Sequence, residues 1–230
     1  MKYPDAERIV IKVGSGYLFD RDNDKHLYSL QEDQMDALVE EVSKISEGRD
    51  VVLVSSGAIA TAIWELGLPE IPEDDYKKAQ LSGIGQPRLM EEYRKRFESH
   101  NKICAQCLLT YDDLENRKRR RNMRKMLEGY FLDGVIPIVN ENDLTSIEEI
   151  TFGDNDILAA RLALTIDADL VIFLSYSVEG LGSGGRESKE KAKEILEGED
   201  IPLEIINRRY EFDESTGLYK PNIRLILDSP

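Results

Sequence analysis

The residues whose types and spacing best suit chemistry lie in two polar segments, residues 140–143 (Asn-Glu-Asn-Asp) and residues 153–156 (Gly-Asp-Asn-Asp). The first follows an apolar run at residues 135–139, and the second leads into another apolar stretch. Polar side chains beside a core strand cost free energy unless they are paired, so folding alone does not require such a cluster. We therefore interpret the two segments as functional.

Lysines beside glycine turns form a second group of candidates. The β-branched run at residues 7–13 contains Lys12 and ends in residues 14–16 (Gly-Ser-Gly). A lysine near the end of a buried strand can deliver its ammonium group to the carboxyl edge of a sheet, where α/β proteins bind ligands. A glycine-rich loop at residues 180–185 opens onto a predicted helix with Lys189 near its start. The alternatives are an edge-strand lysine for the first and a flexible surface loop for the second.

A third candidate is the turn that contains Ser56 and Gly57. It joins a predicted buried strand, residues 50–54, to a helix that runs to about residue 66. A small-residue turn at a helix N-terminus presents free backbone N–H groups and a positive dipole end, which suit an anion. Neither glycine segment fits the Walker A or the G-x-G-x-x-G spacing, so neither alone specifies a nucleotide.

Together these parts are the ones that phosphoryl transfer requires. Negative charge spreads over the transferring group in the transition state, and placed positive charge stabilises it. If the acceptor is a carboxylate, it is already ionised at neutral pH and needs no general base. This agrees with the two histidines, His26 and His100, to which we assign no role because neither has a partner pattern.

The elements that must position these residues alternate between strand and helix. Strands are predicted near residues 7–13, 50–54, 103–109, 135–139, 169–174, 203–206 and 223–227, with helices between most of them. This rhythm predicts a mainly parallel central sheet covered on both faces, an α/β three-layer αβα sandwich. With 41% hydrophobic residues, the 230-residue chain suits one domain, residues 1–230.

Three local expectations accompany this scaffold. Residues 29–32 (Ser-Leu-Gln-Glu) have the pattern of a capping box that starts a helix. Pro87 is expected to break or kink the helix at residues 74–98, and one basic helix is expected at about 113–132. The polar tail at 207–221 receives no function, and we expect a solvated loop for Glu211, Asp213 and Glu214.

Composition excludes several classes of function. A net charge of −15 disfavours nucleic acid or an anionic membrane as a partner, although residues 117–125 are rich in Arg and Lys. The longest uncharged run, residues 51–64, is shorter than the ~20 residues that cross a bilayer. The N-terminus has no apolar signal region. We therefore expect a cytoplasmic protein.

Cys104 and Cys107 form a lone C-x-x-C within a predicted buried strand at residues 103–109. Strand side chains alternate between faces, so residues three apart cannot share one metal ion. We interpret the pair as core thiols rather than as a metal or redox motif. The sequence thus predicts no metal ligand among its cysteines.

The chain resembles the amino acid kinase superfamily and, within it, the glutamate 5-kinase family, over about residues 8–174. The matching stretches are residues 11–15, 54–60, 85–89, 108–114, 140–143 and 152–156. The pair N-E-N-D and G-D-N-D is specific to this kinase family among its relatives. The resemblance implies ATP- and Mg²⁺-dependent phosphorylation of the γ-carboxylate of L-glutamate to γ-glutamyl phosphate, the first step of proline biosynthesis.

The resemblance also implies catalytic and nucleotide-binding roles. Lys12 would contact the ATP phosphates and stabilise the moving phosphoryl group, Lys189 would neutralise charge on the leaving side, and Asp156 would orient both lysines. The other nucleotide-binding positions would be Gly14, Ser15, Ser175, Tyr176, Ser183, Gly184 and Gly185.

Residues for the amino acid follow from the same resemblance. Ser56, Gly57, Asp143 and Asn155 would hold glutamate. In physical terms, Asp143 suits the α-ammonium group, because a buried cation needs a paired carboxylate. Asp154 would support this pocket or a magnesium ion, and both alternatives stay open.

The nucleotide half departs from the family pattern. Tyr176 stands where the family has an aspartate, Arg186 replaces the methionine of the second glycine loop, and the segment before that loop is shorter. We expect a shortened nucleotide-binding part at about 175–230 and no C-terminal PUA domain. The alternatives are a kinase for another small carboxylic acid and a degenerate homologue that binds an amino acid and regulates a partner.

Partners are implied by the resemblance alone. They are L-glutamate, ATP, a further copy of the chain in a homo-oligomer, and glutamate-5-semialdehyde dehydrogenase, which would take up the labile acyl phosphate.

Overall fold

A computed structural model of the chain describes residues 3–22, 27–145, 155–176, 186–207, 209–215, 217–220 and 223–227. The strands are β1 (Arg8–Val13), β2 (Phe19–Asp22), β3 (Leu27–Leu30), β4 (Asp50–Ser55), β5 (Ile103–Leu109), β6 (Val135–Glu141), β7 (Leu170–Leu174), β8 (Leu203–Ile206), β9 (Glu211–Asp213) and β10 (Leu218–Lys220). The helices are α1 (Ser15–Leu18), α2 (Glu32–Ile45), α3 (Ala58–Leu66), α4 (Asp75–Ser99), α5 (Tyr111–Glu115), α6 (Arg117–Leu132), α7 (Asn155–Ile166), α8 (Arg186–Glu197) and α9 (Ile223–Leu227). None of the helices in these residues has the length and apolar character needed to cross a membrane.

Six of the strands form one sheet in the order β5-β6-β4-β1-β7-β8. Every pairing in this sheet is parallel. The central strands are buried on both faces, which explains why they read as continuous apolar runs. Because parallel strands share one direction, the last residues of the neighbouring strands β4, β1 and β7 lie side by side at one edge: Ser55, Val13 and Leu174.

Alternate residues of β1 contact two separate layers of helices. Ile9, Ile11 and Val13 belong to a core shared with buried residues of α2, α3 and α4. Val10 belongs to a second core, shared with buried residues of α6, α7 and α8. The predicted three-layer αβα sandwich with a parallel sheet is therefore confirmed.

The predicted capping box is wrong. Ser29 lies in β3, which pairs antiparallel with β2, and α2 begins after Gln31 without a side-chain cap. Ser29 and Leu30 pair with β2 in this hairpin, so Ser29 does not cap α2.

The segment at residues 223–227, predicted as a strand, is the helix α9. Ile223 and Leu227 are both fully buried in the core beneath α2. Their i,i+4 spacing puts both on one face of a helix, but residues four apart also share one face of a strand, so the spacing alone does not distinguish the two. Tertiary contact therefore decided an apolar run too short to classify from sequence.

The helix at residues 74–98 is not broken. α4 continues through Pro87 as one element of 25 residues. Asp74 caps it at the N-terminus by accepting a hydrogen bond from the backbone N–H of Lys77. The expected basic helix, in contrast, is divided into α5 and α6, because the Asn116 side chain accepts hydrogen bonds from two backbone N–H groups and starts a new helix.

The strand that carries the cysteines is confirmed, but its predicted burial is wrong. β5 lies at the edge of the sheet, and both cysteines are only half-buried free thiols. Cys104 packs against one core and Cys107 against the other, as strand alternation requires. Burial raises the pKa of the Cys107 thiol to about 11, so this thiol stays protonated at neutral pH.

The tail is more ordered than a solvated loop. Glu211 and Asp213 lie in β9, which pairs antiparallel with β10, and the exposed Glu214 lies in the connecting turn. Ahead of this hairpin, Tyr210 is buried in the core. The tail thus packs against the domain.

Candidate active site

The centre of the candidate site is one buried carboxylate that contacts both predicted lysines. Asp156 is fully buried, and its Oδ1 forms an ion pair with the Nζ of Lys12. Its Oδ2 lies 3.4 Å from the Nζ of Lys189. The structure thus brings together the three residues to which the resemblance gave catalytic roles.

Local folding explains how these side chains meet. Lys12 shares the strand face of Val10, and this face is covered by α7. Asp156 lies in the first turn of α7, where the helix dipole favours a negative charge. Lys189 lies in the first turn of α8, and the Ser188 hydroxyl beside it donates a 3.3 Å hydrogen bond to Asp156.

The charges of this cluster do not cancel. Two ammonium groups face one carboxylate, so the cluster has an excess of positive charge. Lys12 is almost fully buried, whereas the Lys189 side chain is 21% exposed. Away from bulk water these charges act more strongly on an anion than they would at the surface. The cluster can therefore attract a phosphate group.

We call the part of the site around Ser56, Gly57, Asp143 and Asn155 the acceptor side. The amide nitrogen of Asn155 donates to Ser56 Oγ and to Asn140 Oδ1, both at 2.9 Å. The Asn140 amide in turn donates to Gln86 Oε1 at 2.9 Å. These bonds connect the start of α7, the end of β4, β6 and α4 in one network.

Asp143, the remaining residue of the acceptor side, also contacts α4. The Ser82 hydroxyl donates a hydrogen bond to its Oδ2. Burial raises the pKa of the Asp143 carboxyl above its usual range, although the Ser82 hydrogen bond partly offsets this effect. A cation beside this carboxylate would favour its ionised form.

Ser82 and Gln86 form hydrogen bonds with the polar segment at residues 140–143, and the sequence analysis assigned them no role. They lie four residues apart on α4, and therefore on the same face of the helix. Gln86 falls inside a stretch that matches the family, but it received no role there. The available signal was a pair of polar residues at i,i+4 spacing beside two helical glycines.

Two glycines bring α4 close enough for these contacts. A Cβ atom on Gly85 would lie 1.9 Å from the carbonyl oxygen of Ala58, so α3 and α4 touch at this point. Gly57 has a φ of 114°, which side chains disfavour, and it leads directly into α3. α4 therefore packs directly against α3, the helix that follows the turn with Ser56 and Gly57.

We call the opposite part, around Gly14, Ser15, Ser175, Tyr176 and Lys189, the nucleotide side. Gly14 donates its backbone N–H to the Leu174 carbonyl at 3.0 Å, which joins the first glycine turn to the end of β7. Ser175 continues that strand by donating to Ile206 at 2.9 Å. Tyr176 is 42% exposed, and the Arg209 guanidinium lies 4.5 Å from its ring centroid.

Several predicted positions fall outside the described residues. They are Asp154, Ser183, Gly184 and Gly185. Their roles stay predictions.

A profile described as the Amino acid kinase family matches residues 7–202, which is most of the chain. The chain belongs to this family. Membership confirms the resemblance stated for the matching stretches, and the profile includes the residues of both sides described above.

Curated members of the amino acid kinase family are close in sequence. The glutamate 5-kinase of Myxococcus xanthus (strain DK1622) is 41% identical over 182 residues, which cover 78% of this chain and 46% of that protein. Glutamate 5-kinase 2 of Bacillus subtilis (strain 168) is 37% identical over 205 residues, covering 88% of this chain and 54% of that protein. The chain thus spans about half the length of these curated relatives.

Solved structures agree on the fold. A structure of isopentenyl phosphate kinase superposes with a TM-score of 0.57 at 13% identity, covering 87% of this chain and 91% of that one. At this identity the likeness supports the amino acid kinase fold alone.

Proposed function

We propose that this chain transfers the γ-phosphoryl group of ATP to the γ-carboxylate of L-glutamate, producing γ-glutamyl phosphate, the first step of proline biosynthesis. The observation that carries the proposal is Asp156, which pairs with Lys12 and lies within 3.4 Å of Lys189 beside the Asn155 network. The identity of about 40% to curated glutamate 5-kinases supports the choice of substrate.

The two lysines stabilise the negative charge of the phosphate groups during the transfer. An oxygen of the glutamate γ-carboxylate attacks the γ-phosphorus of ATP, the new O–P bond forms, and the bond to the β,γ-bridging oxygen breaks, releasing ADP. Lys12 stabilises the transferring phosphoryl group and Lys189 the charge that collects on the leaving side. Asp156 holds both ammonium groups in place without contacting the reacting atoms.

On the acceptor side, the polar network orients glutamate. Asp143 pairs with the α-ammonium group, and Ser56 with Asn155 provides hydrogen bonds to a carboxylate. Because the attacking carboxylate is ionised at neutral pH, the reaction needs no general base. Positioning alone can supply a large part of the rate enhancement.

Magnesium would arrive with ATP. Within the described residues no group of three or more His, Cys, Asp and Glu side chains could hold a metal ion. Mg²⁺ in kinase sites is bound largely by phosphate oxygens and water with one or two carboxylates, so a cluster of three protein ligands is not required. Its role would be to neutralise phosphate charge, and Asp154 is the candidate protein ligand.

The experiment that tests the proposal is a hydroxamate assay. Purified protein with Mg-ATP, L-glutamate and hydroxylamine is expected to form the hydroxamate of the acyl phosphate, and reactions without ATP or without glutamate serve as blanks. Turnover only with another acid, such as aspartate, would overturn the substrate assignment. Binding of glutamate in calorimetry with neither ATP binding nor turnover would support the degenerate homologue instead.

Further parts of the proposal concern the whole protein. We propose a homo-oligomer, glutamate-5-semialdehyde dehydrogenase as the partner that consumes the product, and a cytoplasmic location. The assignment of residues 1–230 to one domain, with a shortened nucleotide-binding part at about 175–230, belongs to the same proposal.

A further inference from the structure

Arg209, from the tail, contacts the first glycine turn. Its Nη1 lies 2.8 Å from Asp20 Oδ2, and its Nη2 donates to the carbonyl oxygens of Gly16 at 3.1 Å and Phe19 at 2.6 Å. Gly16 lies within the four-residue helix α1, and Phe19 directly follows it. A guanidinium presents its donors in a fixed fork that reaches both carbonyls and the carboxylate, whereas a lysine places its donors on a single nitrogen.

The same guanidinium also packs on Tyr176. Its Cζ lies 4.5 Å from the ring centroid, within the range of a cation–π interaction. Arg209 therefore joins the segment that follows β1 to the segment that follows β7. These are the two segments that carry the predicted nucleotide-binding residues Gly14, Ser15 and Ser175.

Its neighbour Tyr210 holds Arg209 in place. The Tyr210 backbone N–H donates to Gln34 Oε1 at 2.6 Å, and the Gln34 amide donates to the Tyr210 carbonyl at 2.7 Å. The Tyr210 ring meets Tyr17 of α1 edge to face, with centroids 5.8 Å apart. Arg209 and Tyr210 thus both contact α1, and the Tyr210 backbone is fixed to α2 through Gln34.

Helix α1 needs such support. A helix of one turn is unstable by itself, because nucleation fixes several residues for few hydrogen bonds. Gly14 precedes α1 and provides no side-chain cap. The Arg209 fork therefore satisfies carbonyls that the short helix leaves without an intrahelical partner.

We infer that Arg209 is a positioning residue of the nucleotide site, which holds the first glycine turn and Tyr176 in a fixed relation for the phosphates of ATP. The inference rests on the proposed function. It gives Tyr176 a physical role: its ring, in place of the family's aspartate, is the surface on which the guanidinium packs. Arg209 acts through the turn and does not touch the reacting atoms.

Kinetics of matched variants test the inference. Arg209→Ala is expected to raise KM for ATP about tenfold to a hundredfold, the loss of one to two charge-assisted contacts, with KM for glutamate within twofold of the parent. Arg209→Lys keeps the charge but not the fork, and should recover only part of the loss. Tyr176→Phe keeps the ring and should raise KM for ATP less than Tyr176→Ala does.

Arg21→Ala is the matched control. Arg21 also packs on a tyrosine ring, that of Tyr28 at 5.5 Å, but on the β2–β3 hairpin. We expect its KM for ATP to stay near the parent value. An equal rise of both KM values in Arg209→Ala, or an unchanged KM for ATP in the folded variant, would overturn the inference.

A second measurement separates this inference from the proposed function. Hydrogen exchange of the unliganded protein should be faster at the amides of residues 15–19 in Arg209→Ala than in the parent, and unchanged in Arg21→Ala. If the parent protein lacks kinase activity, the proposed function fails, but exchange and the Kd for ATP still decide the role of Arg209. Unaltered exchange at residues 15–19 contradicts that role.

Discussion

The two sides of the candidate site are held in place by different means. On the acceptor side, the Asn155 amide donates to both Ser56 and Asn140, and all three residues lie at or next to the ends of central elements. On the nucleotide side, Gly14 bonds to the end of β7, but the carbonyl of Gly16 accepts a hydrogen bond from Arg209, 193 residues away in sequence. The acceptor side is thus part of the central scaffold, whereas the nucleotide side is completed by the tail.

This difference has a physical consequence. Groups at the ends of buried parallel strands are as rigid as the sheet itself, because moving them would disrupt the hydrogen bonds between strands and the packing of the core. A turn held by side chains from a remote segment can be loosened by one distant substitution. We therefore expect changes in the tail to affect ATP more than glutamate.

The largest effect is expected from Lys189→Ala. Removing this ammonium group should lower kcat a hundred- to a thousandfold, about 3–4 kcal/mol, because it stabilises charge in the transition state. The Kd for glutamate should stay within twofold, since the acceptor side is intact. The measurement is the hydroxamate assay together with calorimetry.

The control for this variant is Arg186→Ala. Arg186 is a basic residue of the same first helical turn, but it is highly exposed and pairs with Glu190 instead of Asp156. Its kcat should match the parent. If Lys189→Ala also kept the kcat of the parent, the catalytic role proposed for Lys189 would be wrong.

The next largest effect concerns the packing beneath the acceptor side. In Gly85→Ala the new Cβ would lie 1.9 Å from the Ala58 carbonyl oxygen and 2.6 Å from the Ala62 nitrogen. The resulting shift of α3 against α4 should lower the free energy of unfolding by about 3 kcal/mol. The matched variant is Gly83→Ala, whose new Cβ has space beside Leu144. It should raise the free energy of unfolding by up to about 1 kcal/mol. Urea unfolding measures both variants. Equal stabilities of the two variants would contradict the close contact of the helices.

A pH-dependent effect is expected beneath the nucleotide side. Burial raises the pKa of Glu41 from 4.5 to about 7, although hydrogen bonds from Tyr210 and from the Arg224 backbone oppose this. The folded state therefore binds this proton more tightly than the unfolded chain, and stability falls as the pH rises from about 4.5 to 7. In Glu41→Gln this loss is absent, so its stability relative to the parent should rise between pH 5 and pH 8 by up to about 3 kcal/mol.

Urea unfolding at the two pH values measures this change. The control is Glu40→Gln, because Glu40 is an adjacent, half-buried carboxylate whose pKa is lowered by the hydrogen bond from Lys44. It should show no such gain at high pH. A parallel pH dependence of Glu41→Gln and the parent would mean that Glu41 is not protonated in the folded protein near neutrality.

The smallest effect is expected from Ser82→Ala on the acceptor side. Loss of the hydrogen bond to Asp143 should raise KM for glutamate about fivefold to tenfold, or about 1 kcal/mol, with KM for ATP unchanged. Ser99→Ala on the same helix is the control, because its hydroxyl bonds only to the Arg96 carbonyl among the described contacts. A change in KM for ATP instead would contradict the division of the site into two sides.

Much of the scaffold could be predicted because it depends on local patterns. Lys12 is the one internal charge of a strand that begins at Arg8 and ends at a glycine turn, so its place near the carboxyl end of the sheet followed from β1 alone. The errors concern short segments, such as residues 223–227 and the Ser29 capping pattern, in which two structures suit the same residues. There the choice was made by packing against α2 and by pairing with β2.

The sequence by itself indicated the alternation of strands and helices and the family, and it gave Lys12, Lys189 and Asp156 as candidate site residues. Only the tertiary structure showed that Ser82, Gln86 and Arg209 contact the candidate site residues Asp143, Asn140 and Tyr176. The physical reason is distance along the chain: helical periodicity and strand alternation act over a few residues, whereas contacts such as Arg209 with Gly16 exist only after the sheet has brought remote segments together.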